Sequence, residues 1–580
     1  MVTASVRARD GGRGLRRLLL GVLFLGLVGL MMRVSWSALN HQVADLGDPV
    51  LYGWTWSWTR HALFSNPVHL FDGNIFAPHR RSVAYSDNML VVLLPFSLLR
   101  AAGANWALQL NLLSLGMLTL SLAATYSLTR RIVGHTDTAI FAAIAYTFGS
   151  FTFVHQGHLQ LLLLGMFPLG FLSAFRWFET QQWRDAMWFG LLNASFFLGA
   201  LYYSAVWMVC VAVVLLTYIA ARRRQLDTTF WKGLLIVAVF SATAIPFIVP
   251  YLEVGVTRPL VREWGLQPRD LVTVAVGSDA YPRIDRWANG SVDRGEHSFF
   301  PGFSSELLAG FGFGALILTR PSRRRRATPP VRNALPPERR LELWLLAAAG
   351  GAAFVLALGP EVRGVTLPFT FFHDHVLGFK GIRVAARLAI PGLLAVCVFA
   401  SVGLTMITAR LSRRVGVAVA VVASAVLVVE LLAPVSRVTL PTDAATLAVY
   451  RELGRRGPGT VAELPVADPH DAAGWARIEA PRMLYGSLDL HPRVNGYSGS
   501  WPRDYRRHGQ ILNTYPAPAA VALGARLHVR FLILHVGTAA GFAQYEPAQV
   551  RTIVAGLPGG TAHRYGNAWL VDLGPESSGD

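Results

Sequence analysis

The chain has 580 residues, of which 53% are hydrophobic and only 15% are charged. Soluble domains carry about 25% charged residues, so the composition excludes an ordinary soluble protein and indicates a membrane protein. The net charge of +19 would suggest nucleic-acid binding in a soluble domain. Here the positive charge lies mainly in short arginine-rich loops between hydrophobic segments, and such loops stay in the cytoplasm. The charge therefore indicates topology, and we expect no nucleic-acid partner.

Eleven hydrophobic segments are long enough to cross about 30 Å of hydrocarbon. The predicted spans are residues 16–35, 106–128, 138–154, 159–177, 186–201, 203–221, 232–252, 302–319, 341–359, 386–408 and 414–433. This count places every arginine cluster on one side, which the positive-inside rule assigns to the cytoplasm. The clusters are Arg130–Arg131, Arg222–Arg224, Arg323–Arg326 and Arg413–Arg414. The sequence thus predicts a multi-pass protein of the plasma (inner) membrane, with its N-terminus inside and its C-terminus outside.

Two apolar stretches near the N-terminus have other interpretations. The first segment is alternatively a cleaved signal peptide, because Arg13, Arg16 and Arg17 precede the apolar run Leu18–Leu30. Residues 89–102 form an apolar stretch of only about 14 residues, too short to cross a bilayer. Counting that stretch as a span would also reverse the side of every later arginine cluster. We therefore predict an interfacial or re-entrant helix there.

Three outer regions remain, at residues 36–88, 253–301 and 360–385. The first of them is acidic and rich in aromatic residues. Leu51, Trp54 and Trp58 recur in it at helical spacing, which predicts an amphipathic helix lying in the membrane interface.

Past Ala433 the composition changes from apolar runs to alternating strand and helix patterns. Strands are predicted at 460–464, 531–535 and 568–573, and helices at 444–455 and 547–556. The fold class is therefore an all-α polytopic membrane domain of about eleven transmembrane helices (1–433), followed by an extracytoplasmic α/β domain (434–580). Without a catalytic motif of its own, the second domain is by default a binding or shielding module.

Metal and disulfide chemistry find little support in the sequence. Cys210 and Cys397 both lie inside predicted spans, which excludes a disulfide framework and a paired-cysteine metal site. No cluster of metal ligands occurs at a useful spacing. We expect no cofactor, and a divalent metal has no support from the residues.

Seven short motifs together resemble a known membrane enzyme class. They are Gly47-Asp-Pro-Val-Leu-Tyr-Gly-Trp, Asn66-Pro, Asn74-Ile-Phe-Ala-Pro, Ala84-Tyr-Ser-Asp-Asn, Asn105-Trp-Ala-Leu-Gln-Leu-Asn-Leu-Leu, His155-Gln-Gly-His-Leu-Gln and Asn495-Gly-Tyr-Ser-Gly. With the order of first span, acidic loop and interfacial helix, the chain resembles a bacterial branch of the GT-C superfamily. These are integral-membrane glycosyltransferases that use polyprenyl-phosphate sugars.

The resemblance implies an inverting transfer on the outer face of the membrane. A sugar passes from a polyprenyl-phosphate donor to an envelope glycan or lipid acceptor, while a loop carboxylate removes the acceptor proton. Asp48 is the candidate base, because Gly47 permits a tight backbone and Pro49 starts the following helix. The alternative is that Asp48 only caps that helix. Asp45 is the second candidate, either facing the same cavity or solvated.

Cationic side chains in the third outer region are candidate phosphate ligands. Lys380, Arg383 and Arg387 precede a span, and the two arginines would share one helix face at a spacing of four. A planar guanidinium suits phosphate oxygens. The alternative is that these residues snorkel as anchors at a helix end.

Histidines and a basic pair complete the candidate site. His155 and His158 fall at a turn between two spans, where they would bind a sugar, a pyrophosphate or, with Asp48, a metal. Two histidines alone are not a metal site, and a hydrogen-bonded turn is the simpler interpretation. His79 and Arg80 place cations outside, which suggests contact with lipid phosphate or acceptor, or else a solvated loop. We predict that Asp48, His155, His158 and Arg383 surround one cavity.

Two rival functions fit the spans. A lipid or polysaccharide transporter would show repeated halves with broken helices at mid-membrane, and the sequence shows no such duplication. A non-catalytic scaffold for envelope assembly is the other alternative.

The topology is testable with a reporter fused at Asp580. We expect activity from a reporter that works only outside the cytoplasm, because only this arrangement keeps every arginine cluster inside. A fused reporter that is active only in the cytoplasm would contradict the predicted count of spans.

Overall fold

The computed structural model describes residues 2–288, 294–318, 337–537, 545–557 and 561–574. The helices up to residue 431 are α1 (Val2–Met31), α2 (Trp36–His41), α3 (Asp48–Ser65), α4 (Leu93–Ala101), α5 (Trp106–Val133), α6 (Thr136–Phe148), α7 (Ser150–Val154), α8 (Met166–Thr180), α9 (Trp183–Phe197), α10 (Leu201–Arg222), α11 (Thr228–Ser241), α12 (Ile245–Val254), α13 (Pro282–Ala288), α14 (Phe303–Leu318), α15 (Pro337–Ala357), α16 (Pro368–His375), α17 (Ile390–Thr408) and α18 (Arg413–Leu431). Short strands β1 (Gln42–Val43), β2 (Glu361–Val362) and β3 (Val365–Thr366) lie between them.

Nine helical segments in the described ranges are long and apolar enough to cross a membrane. They are α1, α5, α6 with α7, α8 with the turn before it, α10, α11 with α12, α15, and α17 and α18 with their flanking residues. Each of the nine coincides with a predicted span.

The other two predicted spans are the shorter helices α9 and α14, of 15 and 16 residues. We name the face of the bundle against which the C-terminal region packs the upper face, and the opposite one the lower face. Helix α9 starts beside the lower end of α8, and its Phe197 carbonyl accepts a hydrogen bond from Asn88 on the upper face. The start of α14 contacts Glu430 at the upper end of α18, whereas the Leu316 carbonyl accepts from Arg340 near the start of α15. Both helices therefore connect the two faces, and the chain alternates direction as predicted.

The apolar stretch around α4 does not cross the bundle, as predicted. It begins after Asn88 on the upper face and ends before Asn105. The Asn105 side chain donates to the Asn40 carbonyl at 3.1 Å, and Asn40 lies at the end of α2, next to β1 on the upper face. Both ends of this short helix thus lie on one face.

The prediction that residues 51–58 form an interfacial helix is wrong. Helix α3 exists, but Trp54 is only 1% exposed and its indole N–H donates to the Asn74 side chain at 2.9 Å. A side chain at Gly53 would lie 3.2 Å from Leu484 of the C-terminal region and 3.7 Å from Leu110 of α5. The helix is a buried element between the bundle and the C-terminal region, and its aromatic residues serve that core.

The C-terminal region is an α/β unit, which confirms the predicted fold class. It contains β4 (Val438–Thr439), α19 (Ala444–Leu453), β5 (Thr460–Leu464), α20 (Ala472–Tyr485), α21 (Tyr505–Leu512), α22 (Pro518–Arg526), β6 (Val529–His535), α23 (Pro547–Ala555), β7 (Thr561–Tyr565) and β8 (Ala568–Asp572). The four longer strands form one sheet in the order β5-β6-β8-β7, with β5 and β6 parallel and the other pairs antiparallel. All three predicted strands and both predicted helices are present.

A two-residue antiparallel ladder ties the first loop to the start of this region. Gln42 of β1 pairs with Thr439 of β4, and Val43 pairs with Val438. The first loop is thereby fixed to the chain that leaves the last span. The domain boundary at residues 433 and 434 stays a prediction.

Truncation of Trp54 tests the buried position of α3. We expect Trp54→Ala to lower the free energy of unfolding by about 3 to 5 kcal/mol, the usual cost of removing a buried indole. Thermal unfolding of the full chain in detergent measures the effect. Trp36→Ala is the matched control, because Trp36 is 74% exposed. Equal effects of the two substitutions would place α3 at a surface.

Candidate functional site

A cavity of about 400 Å³ lies between the upper face of the bundle and the C-terminal region. Its wall combines the start of α3, the loop before α4, the turn before α8, the start of α10, the segment before α17 and a loop of the C-terminal region. Among the lining side chains are Asp48, Tyr85, Asp87, His158, Tyr202, Arg258, Arg383, Arg387, Trp475, Tyr497 and Trp501. All three outer regions therefore meet the C-terminal region here or directly behind this wall.

Asp48 faces this cavity from the first turn of α3. The helix is capped by Gly47, whose carbonyl accepts from the Val50 and Leu51 amides, and Asp48 makes no capping bond. Its Oδ1 instead accepts a hydrogen bond from the Tyr497 hydroxyl at 2.6 Å. Burial and the nearby Asp48 charge raise the pKa of Tyr497 well above its usual value, so the hydroxyl stays protonated. The capping alternative for Asp48 is wrong.

Asp45 is not part of the cavity lining. Its Oδ1 accepts the backbone N–H of Gly47 at 2.7 Å, which closes a local turn ahead of α3. Asp45 thus supports the backbone that presents Asp48.

The two histidines occupy different positions. His158 lines the cavity, with Nε2 3.8 Å from Asp48 Oδ2. Burial lowers the pKa of His158 to about 4, so the imidazole is neutral near pH 7. His155 lies behind it, with Nδ1 2.9 Å from the Phe151 carbonyl and Nε2 3.2 Å from Glu296 Oε2. The hydrogen-bonded turn thus describes His155, whereas His158 faces the cavity.

Two of the predicted cations line the cavity, and so does one cation that was not predicted. Arg387 is buried and makes two hydrogen bonds to the Glu296 carboxylate, with Nε 2.8 Å from Oε2. Arg383 is exposed and lies over the Trp264 ring at 4.7 Å. The backbone at Arg383 is extended and only residues 385–389 form a helical turn, so the shared helix face was wrong although both side chains reach the cavity. Arg258 was not predicted; its guanidinium donates to the Gly499 carbonyl. Arg387 is an ion-paired cavity residue, which rules out snorkelling for it.

Three predicted cations lie outside the cavity. Lys380 is exposed on a short turn whose glycines alone reach the wall. His79 pairs with Asp504 at 2.9 Å. Arg80 is exposed on the same loop. Basic residues on these loops did not indicate in which direction their side chains point.

Asp87 is a second carboxylate in the cavity that was not predicted. Its Oδ1 accepts the Leu201 amide at 2.6 Å, at the start of α10. Burial raises the pKa of Asp87 to about 6, and the Asp48 charge adds to the shift. The neighbouring Asn88 holds this loop by bonding the Phe197 carbonyl and the Tyr251 hydroxyl. Asp87 belongs to the motif Ala84-Tyr-Ser-Asp-Asn, which the sequence analysis noted. No neighbouring residue in that motif distinguishes Asp87 as a cavity residue.

No group of three histidine, cysteine or carboxylate side chains in the described part of the chain is placed to hold a metal ion. The titratable acids and bases of the cavity include the Asp48 carboxylate at the start of α3, the Asp87 carboxylate in the loop before α4, a neutral imidazole and three guanidinium groups. Such an arrangement suits an anionic ligand next to a group that loses a proton.

The helix bundle, the acidic first loop and the cavity under the C-terminal region describe a multi-pass helical membrane protein, and its fold is similar to that of a solved glycosyltransferase. Arabinofuranosyltransferase AftD from Mycobacteria has a similar structure, with a TM-score of 0.57 and 14% sequence identity. The alignment covers 96% of this chain and 40% of the AftD chain. The chain therefore spans about two fifths of the length of AftD, and at this identity the likeness shows the fold.

Two further solved structures are similar at lower scores. ArnT from Cupriavidus metallidurans bound to undecaprenyl phosphate has a TM-score of 0.45 and 13% identity, covering 96% of this chain and 99% of that one. The archaeal oligosaccharyltransferase AglB from Archaeoglobus fulgidus, in complex with an inhibitory peptide and a dolichol-phosphate, has a TM-score of 0.43 and 12% identity, covering 89% and 69%. No sequence-family model matches the chain, and no curated protein matches it by sequence. The likeness to AftD confirms the fold that the short motifs indicated.

Replacement of Asp87 by asparagine tests the environment of this carboxylate. Because its pKa is raised in the folded chain, Asp87 binds a proton more tightly there than in the unfolded chain. Its contribution to stability is present below about pH 4 and is lost as the pH rises through about 6. Asp87→Asn can still accept the Leu201 amide, so its stability relative to the parent should increase from pH 5 to pH 7.5 by about 1.4 kcal/mol, because about one pH unit of the shift lies in this window. Thermal unfolding at both pH values measures this, and a difference that is independent of pH would contradict it.

Proposed function

We propose that the chain is a glycosyltransferase that moves a sugar from a polyprenyl-phosphate donor to an envelope glycan or lipid acceptor. The observation that carries the proposal is that Asp48 and three arginines line one cavity of ligand size. A sugar hydroxyl is a weak nucleophile until a base takes its proton. A leaving phosphate needs positive charge rather than a proton. Asp48 supplies the base, and the three arginines supply the positive charge.

Asp48 is the proposed general base. Tyr497 holds its Oδ1 in place, and Oδ2 faces the cavity beside His158. One carboxylate oxygen is therefore oriented while the other is placed to accept a proton from a bound hydroxyl. Asp45 has its Oδ1 bound to the backbone of the same loop, and we assign it a supporting role.

Arg383 is the proposed principal ligand of the donor phosphate. No carboxylate pairs with its guanidinium within the described ranges, and the Trp264 ring supports it. Arg387 is neutralised by Glu296, so it contributes hydrogen-bond geometry more than net charge. Arg258 adds a third cation next to the C-terminal region. His158, being neutral, is suited to a sugar hydroxyl.

We place the cavity on the outer side of the plasma (inner) membrane. Arg131 pairs with Glu179 and Glu342 at the lower face, so this arginine cluster lies opposite the cavity. Under the positive-inside rule the lower face is cytoplasmic, which makes the C-terminal region extracytoplasmic. Membrane lipids then surround the bundle, and a polyprenyl carrier would enter from the same layer.

The test compares Asp48→Asn with Asp45→Asn. We expect Asp48→Asn to slow transfer by about 10² to 10⁴ fold, the usual loss when a general base is removed. The amide keeps the size and the hydrogen-bond acceptor of the carboxylate, so the variant should fold as the parent does. Its affinity for undecaprenyl phosphate should change by less than about threefold. Asp45→Asn should cost much less. Release of polyprenyl phosphate from a series of synthetic polyprenyl-phosphate monosaccharides, in lipid nanodiscs, measures the rates.

The alternatives make opposite predictions in the same assay. A transfer rate of Asp48→Asn near that of the parent would remove Asp48 from the mechanism. Absence of release with every donor, together with no affinity for undecaprenyl phosphate, would favour a transporter or a scaffold.

A further inference from the structure

We propose that the C-terminal region forms an acceptor subsite for an uncharged sugar ring, with Trp501 as its stacking surface. The inference rests on the proposed glycosyltransferase function and adds the class of acceptor. It also gives the C-terminal region a direct part in substrate binding instead of a shielding role.

The first observation is a fixed aromatic group on this wall. Trp475 is 3% exposed, and its indole N–H donates to the Gly496 carbonyl at 2.8 Å. Its ring meets Trp501 at 5.0 Å and 77°, and Tyr497 at 4.9 Å and 73°. Trp501 and Tyr497 are thus oriented by one buried indole, and both line the cavity. A partly exposed indole in this position offers a flat apolar surface to a ligand.

The second observation is that the loop carrying these rings is rigidly seated. A side chain at Gly496 would lie 2.6 Å from the Phe76 ring, and one at Gly499 would lie 3.2 Å from the Tyr85 carbonyl. Both glycines therefore allow the loop to pack directly on the first outer region. The surface is preorganised, which reduces the entropy lost on binding.

The third observation is the separation of charge between the two walls. The part of the wall from the C-terminal region carries no cation and no carboxylate; its members are Pro469, Ala472, Trp475, Tyr497, Ser498, Gly499 and Trp501. The three arginines lie on the other wall, and Arg258 touches the Gly499 carbonyl where the walls meet. A phosphate is therefore attracted to one wall, while the other suits the C–H face of a neutral sugar.

The fourth observation links this surface to the proposed base. Tyr497 belongs to the aromatic group and holds Asp48 by its hydroxyl. Trp501 and Tyr497 contact the same indole ring, so a sugar ring stacked on Trp501 would share the cavity with the carboxylate that must remove its proton. This position is required of the acceptor and not of the donor. We infer a neutral glycan end as the acceptor, in preference to a lipid phosphate or an acidic glycan.

The experiment measures binding of short oligosaccharides to the full chain in nanodiscs by saturation-transfer NMR. The probes are neutral trisaccharides of arabinan, galactan and mannan, and a trigalacturonate as the acidic counterpart. At least one neutral probe should bind at least tenfold more tightly than trigalacturonate. Trp501→Ala should weaken that binding by tenfold or more, and Trp501→Phe should restore it to within about threefold. Trp183→Ala is the control, because Trp183 is 55% exposed at the lower face.

Each outcome has a distinct meaning. Unchanged affinity in Trp501→Ala, tighter binding of trigalacturonate, or no binding of any probe would overturn the subsite. Affinity for undecaprenyl phosphate should be equal in all of these variants. Loss of that affinity in the parent chain would instead be a failure of the proposed function.

Discussion

The hydrogen bond from the Tyr497 hydroxyl to Asp48 joins two residues 449 positions apart, and the candidate site depends on it. A hydrogen bond to an ionised group contributes about 1.5 to 3 kcal/mol, more than a neutral one. Here it also fixes which carboxylate oxygen faces the cavity. The bond forms only because α3 is held between α5 and α20, and because β1 pairs with β4. The C-terminal region is therefore part of the site.

The arginines of the cavity differ in whether a carboxylate of the protein pairs with them. Arg387 and Glu296 are buried together, since either one alone would carry a large desolvation cost. Glu296 is in turn adjacent to His297, whose ring bonds the buried Asp270 at 2.8 Å. The second outer region thus supplies Glu296, one member of this ion pair. Arg383, by contrast, rests on an aromatic ring and keeps its hydrogen-bond donors for an incoming anion.

The sequence predicted those features that depend on local pattern. Hydrophobic length located the crossing helices, and the Gly47-Asp-Pro signature located Asp48, because both are properties of neighbouring residues. It failed where a side chain depends on distant packing. Trp54 has the same helical spacing whether it faces lipid or a protein core, and its packing against Gly73 and Asn74 of the same outer region has no local signature. Tyr497 and Asp87 stood in noted motifs, but their contacts with Asp48 and Leu201 have no local signature. Lys380 and His79 show the converse, since charge indicates a side of the membrane but no direction.

A site of this kind has one side towards the bilayer and one side towards water, and the cavity is built from segments of both kinds. A lipid-linked phosphate enters from the bilayer, so its cations must come from segments at the ends of membrane helices. Arg258 follows α12, while Arg383 and Arg387 lead into α17. An acceptor glycan arrives from water, so its surface must come from the part of the chain outside the bundle, and Trp475, Tyr497 and Trp501 all lie in the C-terminal region. Asp48 lines the same cavity as both groups and is held there by Tyr497. Under the proposed function, this one cavity would therefore bring a leaving phosphate, a reacting hydroxyl and an acceptor ring together.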